Sequence, residues 1–451
     1  MALGDRVQLP ASACQKQPLS KKRKGQKTKA ITASEKTKKG EKMDNQKKIE
    51  TVRGFRDILP PLSLKRQKVL EIIKKKYELY GFLPIDTPTL EYDDLLKGDN
   101  EQDSAVSDRF RLRDRGDREL GLRFEFTFQL SRILKENPTL KLPFKRWQIG
   151  NVFRDEPVGP ERFREFTQCD ADILGDPSIQ ADAECLALAV AILDELAIKY
   201  KIIINNRKLL NEICADLQIE NVQEVLREID KLDKIGLIEV KINLSKILDK
   251  EKIVQLFNIL EKSQSELIEA GYEGAKEVKE LQKIAKIYGC KTEFSPSLVR
   301  GFGYYTGSIF EIKENSGKTE NTIASGGRYD KKVGKYIGKD IPAVGISFGL
   351  DRIEELAEIP VENKTILLIS LGKDPEAIDL AEKMRKQNIP VTIQFGKISK
   401  GLEYANSYAL PYVIFLGEDE VKKKKYKIRN MKSGKEEMLG IQELIKKLRS
   451  K

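Results

Sequence analysis

The chain has 451 residues, with 82 lysines and arginines against 70 acids, a net charge of +12, five cysteines and no histidine. Its length allows a substantial core divided among roughly two to four domains. No apolar run approaches the ~18 residues of a membrane helix and no secretory pattern follows Met1, while Cys14, Cys169, Cys185, Cys214 and Cys290 have neither disulfide-framework nor zinc-ligand spacing, so a soluble cytoplasmic protein without structural metal is expected.

Residues 1–50 hold 14 lysines and arginines against five acids, nine of the twelve net charges, and show no apolar period. A disordered basic tail is expected there, either simply solvated or attracted to nucleic-acid phosphates. Order begins with LSLKRQKVLEIIKKKYELYGF, in which Leu64, Val69, Ile72, Ile73 and Tyr77 keep a helical period up to a stop at Gly81. PIDTPTLEY reads as extended, with Pro88 holding it to an edge or an interface.

From Pro143 to Gly175 the period becomes two. FKRWQIGNVFRDE puts Trp147, Ile149 and Phe153 on one face and Gln148, Gly150, Val152, Arg154 and Glu156 on the other; FREFTQCDADILG puts Arg164, Phe166, Gln168, Asp170 and Asp172 together. Two antiparallel strands would then present a polar floor, either a solvated face or the base of a ligand site. DPSIQADAECLALAVAILDELAIKY follows as a capped apolar helix, and residues 205–290 carry lysine-rich helical patterns. LVRGFGYYTGSIFEI and NTIASGGRYD resume strands, and IPAVGISFGLDRIEEL is a strand entering a helix. After VENK, strand and helix alternate in the manner of a small α/β domain with parallel neighbours.

Arg154, Arg164, Arg300 and Arg352 lie on four segments bordering predicted sheet. Guanidinium groups suit phosphate oxygens, and neither a P-loop nor a dinucleotide fingerprint accompanies them. The segment RWQIGNVFRDEPVGPERFREFTQCDADILG resembles motif 2 of class II aminoacyl-tRNA synthetases, AVGISFGLDRI resembles motif 3, and GFLPIDTPTLE resembles motif 1. LVRGFGYYTG and SGGRYD are similar to the two segments that mark the histidyl-tRNA synthetase family. The resemblance runs over residues 51–451 in the family's order.

The resemblance implies an α/β fold: an antiparallel-sheet catalytic domain in two parts, 51–204 and 291–361, interrupted by a helical insertion, 205–290, and followed by an α/β anticodon-binding domain, 362–451. It implies activation of L-histidine with ATP and Mg²⁺, transfer to histidine tRNA, and a homodimer with no membrane partner. Arg154 and Arg300 would flank the α-phosphate as the catalytic pair. Glu156 and Phe166 would hold adenine, and Arg164 and Arg352 the outer phosphates. Glu125, Thr127 and Gln168 would take the α-ammonium group, and Asp172, Tyr305 and Tyr329 the imidazole, with Tyr304 beside them. For Asp170, on the same face, the plainer alternative is support of its neighbours. Arg300 and Tyr305 are five residues apart and would face opposite ways in a regular strand, so a break at Gly301 or Gly303 is expected.

This sequence departs from the family at Gly303, where many members carry aspartate, and at Phe124, where bacterial members commonly carry proline. Plainer alternatives stand beside each assignment: Tyr304 as core packing, Gly326 and Gly327 as a turn, Arg164 and Arg352 as ion-paired structural residues. Two other roles would use the same scaffold, a regulatory subunit of histidine biosynthesis and a non-catalytic sensor of tRNA.

Overall fold

The computed structural model describes residues 49–97, 104–159, 162–300, 303–317 and 320–449. Residues 51–451 form one compact unit. The expected basic tail falls, up to residue 48, outside the described residues.

Helix α1 (Leu62–Leu79) buries Val69, Ile73 and Tyr77, spaced four apart on one face, and the chain leaves it through Gly81 at φ 75°. Strands β1 (Leu83–Pro84) and β2 (Leu90–Tyr92) follow, then the short helices α2 (Asp93–Lys97) and α3 (Ser104–Ser107). Strands β3 (Arg111–Arg113) and β4 (Glu119–Leu122) pair with β2 in a small sheet of order β2-β4-β3, for which the alternation in sequence is too short to read. Next come α4 (Phe128–Glu136), β5 (Phe144–Phe153), β6 (Glu165–Leu174), α5 (Ile179–Glu195) and β7 (Tyr200–Asn206). The lysine-rich region folds as α6 (Arg207–Asp216), α7 (Val222–Ile229), α8 (Leu232–Leu244), α9 (Lys250–Leu260), α10 (Gln264–Glu269) and α11 (Glu273–Ile287). It leads into β8 (Thr292–Phe294), β9 (Ser308–Glu314), β10 (Thr322–Arg328), β11 (Ala343–Gly349) and α12 (Leu350–Leu356).

Among the described residues these strands form an eight-stranded sheet of order β1-β5-β6-β11-β10-β9-β7-β8. Its central pairs, from β5 to β7, are antiparallel, and only the edge pairs β1·β5 and β7·β8 are parallel. One core joins the sheet to α1, α5 and α11 through Ile73, Tyr77, Leu186, Leu193, Leu281, Phe310 and Phe348. Trp147 of β5 turns to this side, its ring 5.7 Å from that of Tyr77. A second core joins Leu130 and Leu134 of α4 to Leu209, Leu256 and Leu267 of the helical region, and includes Tyr305 and Tyr329. The last helix of the lysine-rich region, α11, therefore packs into the core of the main sheet, although the segment reads in sequence as a separate helical block.

Residues 298–307 carry the break expected between Arg300 and Tyr305 and do not form the regular strand that their composition suggests. Gly303 and Tyr304 form a turn, Tyr305 and Thr306 are irregular, and pairing starts only at Ser308; Gly301 lies outside the described residues. The physical reason is the five-residue interval from Arg300 to Tyr305, both of which face one cavity. A pleated strand would separate them.

The C-terminal residues contribute β12 (Ile366–Ser370), α13 (Asp374–Arg385), β13 (Val391–Phe395), α14 (Ile398–Ser407), β14 (Tyr412–Leu416), α15 (Glu418–Lys423), β15 (Lys425–Asn430), β16 (Glu436–Gly440) and α16 (Ile441–Arg449). Their sheet has the order β13-β12-β14-β15-β16, with β13, β12 and β14 parallel. Both of its faces are covered, Leu368 and Ile414 by Leu380 and Met384 on one side, Ile369 and Val413 by Ala405 on the other. The antiparallel extension β15–β16 was hidden in sequence by the lysines and glutamates that occupy its exposed positions.

Candidate active site

The antiparallel register of β5 and β6 sets Gly150 opposite Gln168, Gln148 opposite Asp170 and Arg146 opposite Asp172. On the far side of β6, strand β11 sets Gly349, Ser347 and Gly345 opposite the same three positions. Because side chains alternate along a strand, Phe166, Gln168, Asp170 and Asp172 share one face. They form a row running from an aromatic ring to two carboxyl groups. Gln168 Nε2 donates to Ser347 Oγ at 2.9 Å.

The two aspartates at the end of that row are equally buried and differently partnered. Asp172 accepts the Tyr329 hydroxyl on Oδ1, and its Oδ2 lies 2.6 Å from Nη2 of the fully buried Arg146. Its carboxyl fills the space that any side chain at Gly345 would need. Asp170 has no ion-pair partner among the described residues and leaves Oδ1 without a hydrogen bond. Burial pushes its carboxyl up to about 7, opposed by Arg146 and Ser347 and reinforced by Asp172 and Glu125. Burial also raises Glu125, whose Oε1 accepts the backbone N–H groups of Thr127 at 2.9 Å and Phe128 at 2.6 Å. Glu125 thereby sits at the N-terminus of α4 and is aimed at the cavity.

The 298–307 loop supplies the facing wall. The rings of Tyr304 and Tyr305 lie 4.8 Å apart, and Tyr304 meets Tyr329 edge-on at 5.8 Å. Gly327 permits this arrangement, since a Cβ there would come within 2.9 Å of the Tyr305 ring. Arg300 is fixed by Ser325 Oγ at 2.6 Å and Glu311 Oε1 at 3.2 Å. Arg352 donates to the Thr322 carbonyl at 2.5 Å, and Thr322 Oγ1 donates to Glu311 at 2.5 Å. Arg154 donates to the Phe124 carbonyl at 3.2 Å, and its guanidinium stands 5.0 Å over the Phe166 ring.

These groups enclose a cavity of about 370 Å³. Glu125, Thr127, Arg154, Glu156, Phe166, Gln168, Arg300, Tyr304, Tyr305 and Arg352 all line it, so ten of the residues singled out in sequence converge. Three do not line it. Arg164 is turned to Asp155, 3.1 Å away, and to the Glu156 carbonyl, and Arg162 occupies the wall in its place. Asp172 and Tyr329 lie behind the floor, bound to each other. Sequence reasoning passed over Ser325, Ser347 and Asp351, and gave Asp170 a place on the floor but no ligand role; all four line the cavity. For Asp170 the signal was present, since it occupies the same face as Gln168. Asp351 accepts from Arg66 at 2.9 Å and from Arg56, tying α12 to α1 and to the segment before it.

The cavity is thus lined by four arginines together with an amide, the four carboxyl groups of Glu125, Glu156, Asp170 and Asp351, and two phenols. Such a lining suits a polyphosphate next to a small zwitterion. A family profile described as histidyl-tRNA synthetase matches residues 54–353, and one described as anticodon binding domain matches residues 359–451. The chain is 35% identical over 411 residues to histidine–tRNA ligase 1 of Bacillus anthracis, an alignment covering 86% of this chain and 97% of the relative. Among solved structures, histidyl-tRNA synthetase of Nostoc superposes with a TM-score of 0.78 at 25% identity, covering 89% of this chain and 99% of that one. A Bacillus halodurans structure titled as an ATP phosphoribosyltransferase regulatory subunit/histidyl-tRNA synthetase superposes at 0.70 with 24% identity, over 83% of this chain and 99% of that one, a likeness of fold alone. From its motifs, its sheet and a match that covers most of its length, the chain belongs to the histidyl-tRNA synthetase family.

Proposed function

We propose that this chain is a histidine–tRNA ligase that joins L-histidine to ATP as histidyl-adenylate and then passes the histidyl group to the 3′ end of histidine tRNA. The observation that carries this reading is the cavity in which four arginines meet Gln168, Asp170 and Glu125. In the first step the substrate carboxylate attacks the α-phosphorus and pyrophosphate leaves. In the second a ribose hydroxyl of the terminal nucleotide attacks the acyl carbon and AMP leaves. The nucleophile of the first step is already ionised, so the protein acts by positioning and by stabilising charge, and no histidine side chain is required.

Arg154 and Arg300 approach the α-phosphate from opposite walls. Ser325 and Glu311 hold the Arg300 fork in place before substrate arrives, which is what preorganised stabilisation requires. Arg352 and Arg162 take the outer phosphates, Phe166 supports adenine, and Glu156 reads its amine. Glu125, Thr127 and Gln168 bind the α-ammonium group. The acidic groups present fit Mg²⁺ carried on the triphosphate rather than caged by protein, since Glu311 is engaged by Arg300, Thr322 and Lys313, and no cluster of three metal-binding side chains occurs among the described residues. Bound there, the ion would neutralise phosphate oxygens.

The class II mechanism, a homodimer joined near β1, and a cytoplasmic location complete the reading. Among the described residues no helix is long and apolar enough to cross a membrane. Residues 359–451 are assigned the recognition of the tRNA anticodon. The deciding experiment is histidine-dependent exchange of labelled pyrophosphate into ATP, followed by charging of a histidine tRNA transcript. Both activities are expected. Histidine binding without exchange would replace the ligase with a sensing or regulatory role.

A further inference from the structure

A second cavity, of about 300 Å³, shares the Tyr304–Tyr305 wall with the catalytic one. Its other sides come from α4, from the starts of α6 and α7, and from the turn that follows β10. We propose that this second cavity is a binding site for a phosphate group, distinct from the cavity assigned to adenylation. Its chemistry is independent of the ligase reading, and three features of its lining support it.

The first is charge. Arg207, Lys331, Lys332 and Lys335 line the second cavity, and among the described residues no carboxylate does. The catalytic cavity, by contrast, sets four carboxyl groups among its four arginines. Cations brought together from α6 and from the turn after β10 repel one another, and a phosphate seated between them offsets that repulsion.

The second is depth. Arg207 is only 4% exposed. Asn211 Oδ1 at 3.3 Å and Gln223 Oε1 at 3.0 Å orient its guanidinium, and neither amide oxygen cancels its charge. Lys332 is half-buried, with Nζ 3.3 Å over the Phe128 ring, while Lys331 and Lys335 are exposed. Positive charge therefore runs from the surface to the buried fork of Arg207, drawing an anion in and then gripping it in a fixed geometry.

The third is room. Gly303, noted above as a departure from the family pattern, contributes no side chain to the lining, and a Cβ built there would approach Gln223 Oε1 to 3.3 Å. Space is thus kept beside the same amide that steers Arg207. Tyr336, 40% exposed, adds an aromatic ring to the lining, where a bound anion would change its surroundings.

The test uses the full-length protein labelled with 3-fluorotyrosine, the Tyr336 fluorine resonance being assigned by its loss in Tyr336→Phe. Inorganic phosphate and a hairpin RNA with an unpaired 3′ strand are titrated separately at constant ionic strength. A saturable shift of the Tyr336 signal is expected. Gly303→Asp, which adds a carboxylate to the lining, and Arg207→Gln, which removes the deepest cation, should each weaken binding by at least about 10-fold. Lys331→Gln, at an exposed position, replaces Arg207→Gln if that variant does not fold, and should weaken binding about 3-fold. Saturation by the hairpin at lower concentration than by phosphate, lost in the same variants, would assign the phosphate to a nucleic-acid strand. A shift with phosphate that the hairpin neither produces nor displaces would assign it to a small free anion. No saturable shift with either probe overturns the site. So does a shift that every variant leaves unchanged, which would mark adventitious binding to exposed lysines. Pyrophosphate exchange is not the readout, so failure of the ligase reading leaves this result as it stands.

Discussion

Asp170 combines deep burial with the lack of a cation of its own, and its protonation should be visible in the stability of the free protein. With its carboxyl raised from 3.8 to about 7, the folded chain holds a proton that the unfolded chain has released throughout that interval. The stability this contributes is fully present below 3.8 and is lost as pH rises to about 7. Urea midpoints measured across this window should fall with pH, and Asp170→Asn should flatten the fall; an unchanged slope in the variant would assign the effect to Glu125 or Asp172. Arg300→Ala should lower kcat for adenylation by about 10²–10³-fold while histidine affinity is little altered, as measured by single-turnover kinetics beside calorimetry. A normal kcat with only a raised KM would remove Arg300 from the transition state. Gly327→Ala should displace the Tyr305 ring, costing about 1–3 kcal/mol by denaturant unfolding and weakening histidine binding. Arg154, Phe166 and Gln168 could be found in the sequence because alternation on β6 and the FRDE segment mark them locally. Which aspartate is free could not, because Arg146 and Tyr329, the groups that occupy Asp172, come from 26 and 157 residues away.

At the scale of elements, α5 and β10 are joined by one buried pair. Arg328 donates to Asp182 and also to the carbonyls of Asp176 at 3.0 Å and Ser178 at 2.8 Å, clasping the start of the helix to the strand that carries Ser325 and Gly327. Arg328→Ala should destabilise the protein by about 3–5 kcal/mol, since it strands a carboxylate with 2% side-chain exposure. The double variant with Asp182→Ala should lose less than the sum of the two single changes, and additive losses would show that the pair is not coupled. The same region shows how far pattern carries. β5, β6 and α1 announce themselves in the sequence by periods of two or 3.6. In the 298–307 segment Tyr304 and Tyr305 favour strand locally, and the break was legible only through the five-residue interval between Arg300 and Tyr305, two residues that share one cavity.

Across the whole molecule, the buried clusters of the main sheet draw on residues up to Ala357, and those of the C-terminal sheet on Ile366 to Leu444. Truncation after residue 361 should therefore leave pyrophosphate exchange measurable and cripple the charging of tRNA; a folded truncated protein that charges normally would give the C-terminal sheet another task. The separation of cores also has an optical consequence. Trp147 is the chain's single tryptophan, seated against Tyr77 on the reverse side of the strand that pairs with Asp170 and Asp172. Its emission reports the melting of the catalytic sheet and is silent about the strands and helices beyond residue 361, which contain tyrosine and phenylalanine but no tryptophan. Far-ultraviolet dichroism registers both. Recorded together during denaturation, the two signals turn one unmodified polypeptide into its own two-channel recorder: diverging midpoints would time the loss of each core separately, and superimposed curves would show that the catalytic and C-terminal sheets let go as one.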